Sequence, residues 1–131
     1  LSPIQVGIQS AHVIGDMFVK YRAWPTSVES EVLWEWATHH KTMICLGGGG
    51  QSNVAAIAGQ LIDIGDALSL PTASFFEDES LGYLMTSTGI VVPESIYEKA
   101  AGIRQAAIAL DPREDPEMQL IDLLNSHSLA R

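Results

Sequence analysis

Apolar residues recur at helical spacing near the start of the chain, in a stretch bounded by residues that begin and end helices. Ser2, Pro3 and Gln5 supply an N-cap, a proline at the first helical position and a capping-box partner. They predict a helix that begins at Pro3, continues to about Tyr21 and is ended by Trp24-Pro25. The residues that recur at helical spacing along it are Ile4, Ile8, Ala11, Gly15 and Phe18.

The same pattern predicts two further helices in the first half of the chain. Thr26 and Glu29 form a second capping box, and the helix that follows is expected to end near His39-His40. Ser52 is placed to cap a third helix, which Pro71 closes.

Short apolar runs bounded by turn residues predict three strands. They are residues 42–46, which four glycines end, residues 72–76, and residues 86–92, which Pro93 ends. An order of helix, strand, helix, strand, strand is typical of an α/β fold.

The chain after Pro93 is predicted to be helical again. Asp115 and Pro116 supply the N-cap and first position of a last amphipathic helix. We therefore expect an α/β domain over residues 1–93 and a helical extension over residues 94–131 that packs on the same domain.

The composition limits the partners of the chain. Its 131 residues carry 16 acidic and 7 basic side chains, a net charge of −9, and such a surface repels polyanions on average. Before Lys99 the basic side chains are Lys20, Arg22 and Lys41, which could still form a local patch.

Cys45 is the single cysteine, so an intrachain disulfide and a cysteine-based zinc site are excluded. With no apolar run of membrane length, these features predict a cytoplasmic protein without a membrane partner.

Two groups of polar residues could carry chemistry. Gln9 and His12 lie one helical turn apart among small and apolar neighbours, although a histidine there could also be a core residue paired with Asp16. The second group begins with three consecutive acids, followed by two threonines that share one face of a strand: Glu77, Asp78, Glu79, Thr86 and Thr88. The acids could equally form a solvated turn, and the threonines could be ordinary strand residues.

Two other motifs favour simpler interpretations. The glycines Gly47 to Gly50 lack the Lys-Ser or Lys-Thr of a phosphate loop, so they predict a flexible turn, and a nucleotide-binding module ranks third among the hypotheses. Adjacent helical histidines, His39 and His40, point about 100 degrees apart and do not converge on one metal ion.

The segment Gln9-Ser10-Ala11-His12 resembles the Gln-x-x-His motif of type II peptidyl-tRNA hydrolases, and the acidic segment is similar to that of the family's divergent phage and bacterial branch. The resemblance covers about residues 1–93. It implies a small mixed sheet with helices on both faces, and hydrolysis of the ester that joins a peptide to tRNA, without a metal or another cofactor.

The resemblance also implies roles for particular side chains. Asp78 or Glu77 would be the base that activates water or would orient it, His12 would position the acid or contact substrate, and the Thr86 and Thr88 hydroxyls would be donors to the oxyanion. Substrate contacts would come from the following residues: Gln5, Gln9, Lys20, Arg22 and Lys41.

The chain departs from the family pattern in three places. The family's usual lysine, four residues before the motif glutamine, corresponds to Gln5. No strand precedes the first helix, which suggests that an N-terminal piece was removed or is absent. The helices after residue 93 have no equivalent in the minimal family domain. A second hypothesis is therefore a catalytically inactive adaptor of the same fold that binds a protein partner, or a second copy of itself, through its C-terminal helices.

Overall fold

The computed structural model describes residues 2–21, 27–109, 111 and 115–129. Within them the chain combines helices with an antiparallel pair of strands and is broadly an α/β structure. The helices and strands are α1 Pro3–Lys20, α2 Val28–Glu35, α3 Gln51–Leu68, β1 Thr72–Phe76, β2 Met85–Ile90, α4 Glu94–Gln105 and α5 Pro116–Ser126. A π-helical turn, Trp36–His40, continues α2, and a 3-10 turn, Glu79–Leu81, lies in the hairpin loop.

Helix α1 begins as the sequence predicts. The Ser2 hydroxyl accepts the Gln5 N–H at 3.2 Å, and the Gln5 side-chain oxygen accepts the Ser2 N–H at 2.8 Å, so the predicted capping box is confirmed. The predicted break at Trp24-Pro25 and the predicted cap at Thr26 lie outside the described residues. In the structure Ser27 caps α2, accepting the Ser30 N–H at 3.1 Å.

The β1–β2 hairpin is covered by helices on both faces. On one face Gly89 faces Val13 and Met17 of α1, and these residues belong to one apolar cluster with Ala73 and Val91. On the other face Ile90 and Val92 pack with α3 in a second cluster around Leu61, Ile64, Leu70 and Leu120. Side chains alternate across a strand, so a hairpin with two apolar faces requires this arrangement.

The predicted strand at residues 42–46 is not confirmed. The segment is not part of the sheet, and its recorded pairing is a single bridge between Leu46 and Leu129. Met43 and Ile44 are 50% and 46% exposed, so the apolar run that predicted a buried strand lies at the surface. The sheet within the described residues is therefore antiparallel, and the predicted mixed sheet of three strands is not seen.

The C-terminal helices are part of the same packed structure. Leu120 and Ile121 of α5 are fully buried, and Ala100 of α4 is 3% exposed. Lys99 of α4 donates a hydrogen bond to Glu117 of α5 at 2.8 Å, and this contact raises the pKa of Lys99. The apolar stripes expected to receive a partner thus pack largely inside the chain.

The close approach of α3 to β1 requires a glycine. A Cβ atom added to Gly65 would lie 2.6 Å from Cγ2 of Thr72 and 3.0 Å from the Leu70 carbonyl oxygen. We predict that Gly65→Ala lowers the free energy of unfolding by about 1–3 kcal/mol, because the buried strand must move to admit the methyl group. Chemical denaturation followed by circular dichroism measures this change.

Gly59 is the matched control, because it lies in the same helix and an added Cβ would meet nothing within 4 Å. Gly59→Ala should raise stability by about 0.5–1 kcal/mol, since only the helical preference changes. Equal effects of the two substitutions would contradict the packing described for Gly65.

Candidate functional site

The side-chain amide of Gln9 joins α1 to both ends of the hairpin loop. Its Nε2 donates a hydrogen bond to Oε1 of Glu77 at 2.7 Å, and its Oε1 accepts one from the Thr86 hydroxyl at 2.9 Å. The Ser87 hydroxyl donates to the main-chain oxygen of Gln9 at 3.2 Å. The structure therefore brings the predicted helix motif and the predicted acid-then-threonine segment into direct contact.

The dimensions of the two elements explain why Gln9 reaches Glu77. Lys20 donates to the Thr72 carbonyl at 3.2 Å, so α1 runs antiparallel to β1 with a contact at each end. Gln9 and Lys20 are separated by about 16 Å along a helix axis, and Thr72 and Glu77 by about 16 Å along a strand. The equal lengths allow both contacts to form at once.

His12 lies flat on Phe75 of β1. The ring centroids are 4.2 Å apart and the ring planes differ by 8°, so one face of the imidazole is covered by Phe75 although the residue as a whole is exposed. None of the residues that the structure describes forms a hydrogen bond with a ring nitrogen of His12. The predicted core pairing with Asp16 is not seen, and His12 is an exposed residue of α1.

The three acids have different surroundings. Glu77 is half-buried and binds Gln9, whereas Asp78 is exposed and accepts hydrogen bonds from the main chain and side chain of Ser80. This contact makes Asp78 the N-cap of the 3-10 turn, in which Glu79 is the first residue. The sequence could not choose among these acids, and the geometry places Glu77 beside the Gln9–His12 face of α1.

The two threonines also have different partners. Thr86 donates to Gln9, while Thr88 forms a hydroxyl contact of 2.9 Å with Ser74 on the opposite strand. Thr88 also donates to the Ala73 carbonyl at 3.3 Å. Thr86 is thus part of the contact between helix and hairpin, and the Thr88 hydroxyl is used within the hairpin.

The predicted substrate-contacting residues do not share one location. Gln5 completes the capping box at the exposed start of α1, about 6 Å along the helix axis from Gln9. Lys20 lies at the far end of β1, where its ammonium group is also 5.2 Å from the centroid of the Tyr21 ring. Lys41 is exposed in a left-handed conformation after the π-helical turn, and Arg22 lies outside the described residues.

The remaining candidate motifs do not form a second site. Among the described residues no group of three His, Cys, Asp or Glu side chains is arranged to hold a metal ion. Gly49 has a φ of +80°, and a Cβ there would lie 2.8 Å from Nδ2 of Asn53, so the tetraglycine provides the turn that leads into α3. His39 is exposed and lies 3.9 Å from Glu35.

No helix in the part of the chain that the structure describes is long and apolar enough to cross a membrane.

Comparison with protein-family models, with curated proteins and with solved structures gives no match to this chain. The resemblance stated from the sequence therefore depends on its own motif residues and on their arrangement.

Two residues of the site were not predicted from the sequence. Phe75 supports His12, and Ser87 binds the main chain of Gln9. Both lie in predicted strands, with side chains on the face that α1 covers. The alternation of side chains along a strand is the signal that would have identified them, once the position of α1 was known.

We predict that Gln9 and Thr86 are energetically coupled. In a double-mutant cycle of Gln9→Ala and Thr86→Val, the coupling energy should be about 0.5–1.5 kcal/mol, the net value of a partly buried hydrogen bond. Unfolding in urea of the wild type, the two single variants and the double variant measures this energy.

The control cycle replaces Thr86→Val with Thr88→Val. Thr88 shares no hydrogen-bond partner with Gln9, so this coupling should stay below about 0.5 kcal/mol. Similar coupling in the two cycles would show that the Gln9–Thr86 bond does not form in solution.

Proposed function

We propose that this chain is a divergent peptidyl-tRNA hydrolase-like protein that cleaves the ester between a peptide and tRNA. The observation that carries the proposal is the contact of the Gln9 amide with both Glu77 and Thr86. In the family that the sequence resembles, the glutamine-histidine helix and the acidic and threonine segments build one site, and here the same segments meet.

In this proposal Glu77 is the general base. Gln9 binds Oε1 of Glu77, and no hydrogen bond to Oε2 is recorded among the described residues, so Oε2 can accept a proton from water. The amide of Gln9 carries a second N–H besides the one given to Glu77. This N–H and the imidazole of His12, one helical turn along α1, would be the donors to the oxyanion that forms when water attacks the ester.

The departures from the family pattern define how the reaction would differ. Gln5 supplies no positive charge, and its side chain is bound in the helix cap. The negative charge that develops on the transition state would therefore be stabilised by neutral hydrogen-bond donors and by His12. The net charge of −9 slows the approach of a polyanion, which makes the expected affinity for tRNA modest.

The proposal includes a cytoplasmic location, no cofactor, peptidyl-tRNA as substrate and association as a homodimer. It also includes a third strand at residues 42–46, as the resemblance implies. In support, this segment already lies against α1, where the Cys45 sulfur is 3.2 Å from the Ser10 hydroxyl.

The adaptor hypothesis has less support from the geometry. It relied on the apolar stripes of α4 and α5, and the structure packs Ala100, Leu120 and Ile121 inside the chain. A buried stripe offers no surface to a partner unless the helices separate, which would expose the second apolar cluster.

The test is release of tRNA from N-acetyl-aminoacyl-tRNA by the purified chain. We expect hydrolysis above the rate in buffer, and we expect Glu77→Gln to lower kcat by about 10²- to 10⁴-fold, the usual contribution of a general base. Acid gel electrophoresis of the RNA measures both rates.

Glu79→Gln is the matched control, because the same acid-to-amide change is made two residues away on an exposed side chain. Its kcat should stay within about threefold of the wild type, since only surface charge changes. A folded wild-type chain that releases no tRNA would rule out the hydrolase, and equal losses in the two variants would rule out Glu77 as the base.

A further inference from the structure

The outer edge of β1 contains main-chain groups that face away from β2. Val91 N–H binds the Pro71 carbonyl at 3.0 Å, so Pro71 and Val91 form a hydrogen-bonded pair. Bonded and non-bonded pairs alternate in an antiparallel ladder, and Thr72–Ile90 and Ser74–Thr88 are therefore non-bonded pairs. The N–H and C=O groups of Thr72 and Ser74 consequently point outward.

The chain covers the first of these two residues and leaves the second open. The Tyr21 hydroxyl accepts the Thr72 N–H at 3.1 Å, and Lys20 and Tyr21 both donate to the Thr72 carbonyl. For Ser74, no group within the residues that the structure describes pairs with the outward N–H and C=O. An unpaired strand edge of this kind is the usual receptor for an extended peptide.

A groove of about 340 Å³ surrounds the open edge. Asp16 and Lys20 of α1 line one side, Ile62 of α3 lines the other, and Phe76 lies toward Glu77. Ile62 and Phe76 are 45% and 53% exposed, so the groove combines polar main-chain groups with accessible apolar surface.

Asp16 and Lys20 give the groove one charge of each sign. The Asp16 carboxylate has no hydrogen bond or ion pair with any described part of the chain, whereas the Lys20 ammonium group is held at the Thr72 carbonyl, at the start of β1. A free carboxylate beside unpaired main-chain groups complements a peptide that carries an α-amino group.

We propose that this groove binds a short extended peptide with a free amino terminus, whose main chain pairs with Ser74 and whose amino group meets Asp16. Glu77 directly follows the last residue of β1, three positions after Ser74, so the carboxyl end of the peptide lies toward Glu77. The peptide then runs parallel to β1. This inference rests on the proposed function and deepens it, because the bound segment is the peptidyl part of the substrate.

The probe is the tetrapeptide amide Thr-Val-Thr-Val-NH2, titrated into ¹⁵N-labelled full chain and followed by NMR. We expect the Ser74 amide signal to shift and its hydrogen exchange to slow, while the Ala73 and Phe75 amides, already bound in the ladder, change little. Acetylating the amino terminus of the peptide should weaken binding about two- to fivefold, the value of an exposed ion pair.

Asp16→Asn should weaken binding of the free peptide by the same factor. Acetylating the peptide should then have no further effect on its binding to this variant. Asp63→Asn is the matched control, because it removes the same charge from an exposed position of α3 outside the groove, and it should bind as the wild type does.

Absence of a Ser74 shift at millimolar peptide would overturn the proposal, as would equal effects of the two asparagine variants. Ser74 protection in the absence of peptide, with a doubled mass in sedimentation, would overturn it in favour of a second copy at this edge. Binding does not require turnover. If the chain binds the peptide but releases no tRNA, the peptide-binding groove stands and the proposed hydrolase function is ruled out.

Discussion

A two-stranded hairpin is not stable by itself in water, and the rest of this structure depends on how its two faces are covered. Helix α1 packs on one face and α3 on the other. Each contact uses a glycine at the closest point, Gly89 opposite α1 and Gly65 opposite β1. A side chain at either position would occupy the space that the neighbouring element fills, so these two glycines set the distance between the layers.

The direction of α1 on the hairpin also determines where polar groups meet. The helix runs antiparallel to β1 and is held by two hydrogen bonds, from Lys20 to Thr72 at one end and from Gln9 to Glu77 at the other. Residues between these two contacts fall beside the strand at intervals of about one helical turn, which places His12 on Phe75 and Asp16 at the groove. One packing geometry therefore produces both the candidate hydrolytic site and the open edge beside it.

The sequence predicted those features that depend on local chemistry. The capping box at Ser2 and Gln5 and the N-cap at Asp115 are confirmed because they use residues close together in the chain. Strand β1 is also found where the apolar run predicted it. Residues 42–46 have the same local pattern, but a strand needs a neighbouring strand, and the recorded bridge of this segment joins Leu46 to Leu129. Local pattern cannot supply that partner.

Local sequence pattern also could not identify which residues of the candidate site meet each other. Three adjacent acids have equivalent sequence signals, and only the path of the chain after β1 separates Glu77, which meets Gln9, from Asp78, which caps the following turn. Thr86 and Thr88 were expected to act together because residues two apart on a strand share a face. The register irregularity between Phe75 and Phe76 lies in the stretch of the hairpin that carries Thr86, and Thr88 lies in the regular part, opposite Ser74.

The Gln9 amide has a directional consequence for any chemistry at this position. Its oxygen accepts from Thr86, so its nitrogen must face Glu77, and the amide cannot rotate without losing both hydrogen bonds. Thr86 thereby acts on the carboxylate through Gln9, without touching it. A carboxylate held in this way has one oxygen bound to Gln9, so its orientation is set by the neutral groups of Gln9 and Thr86.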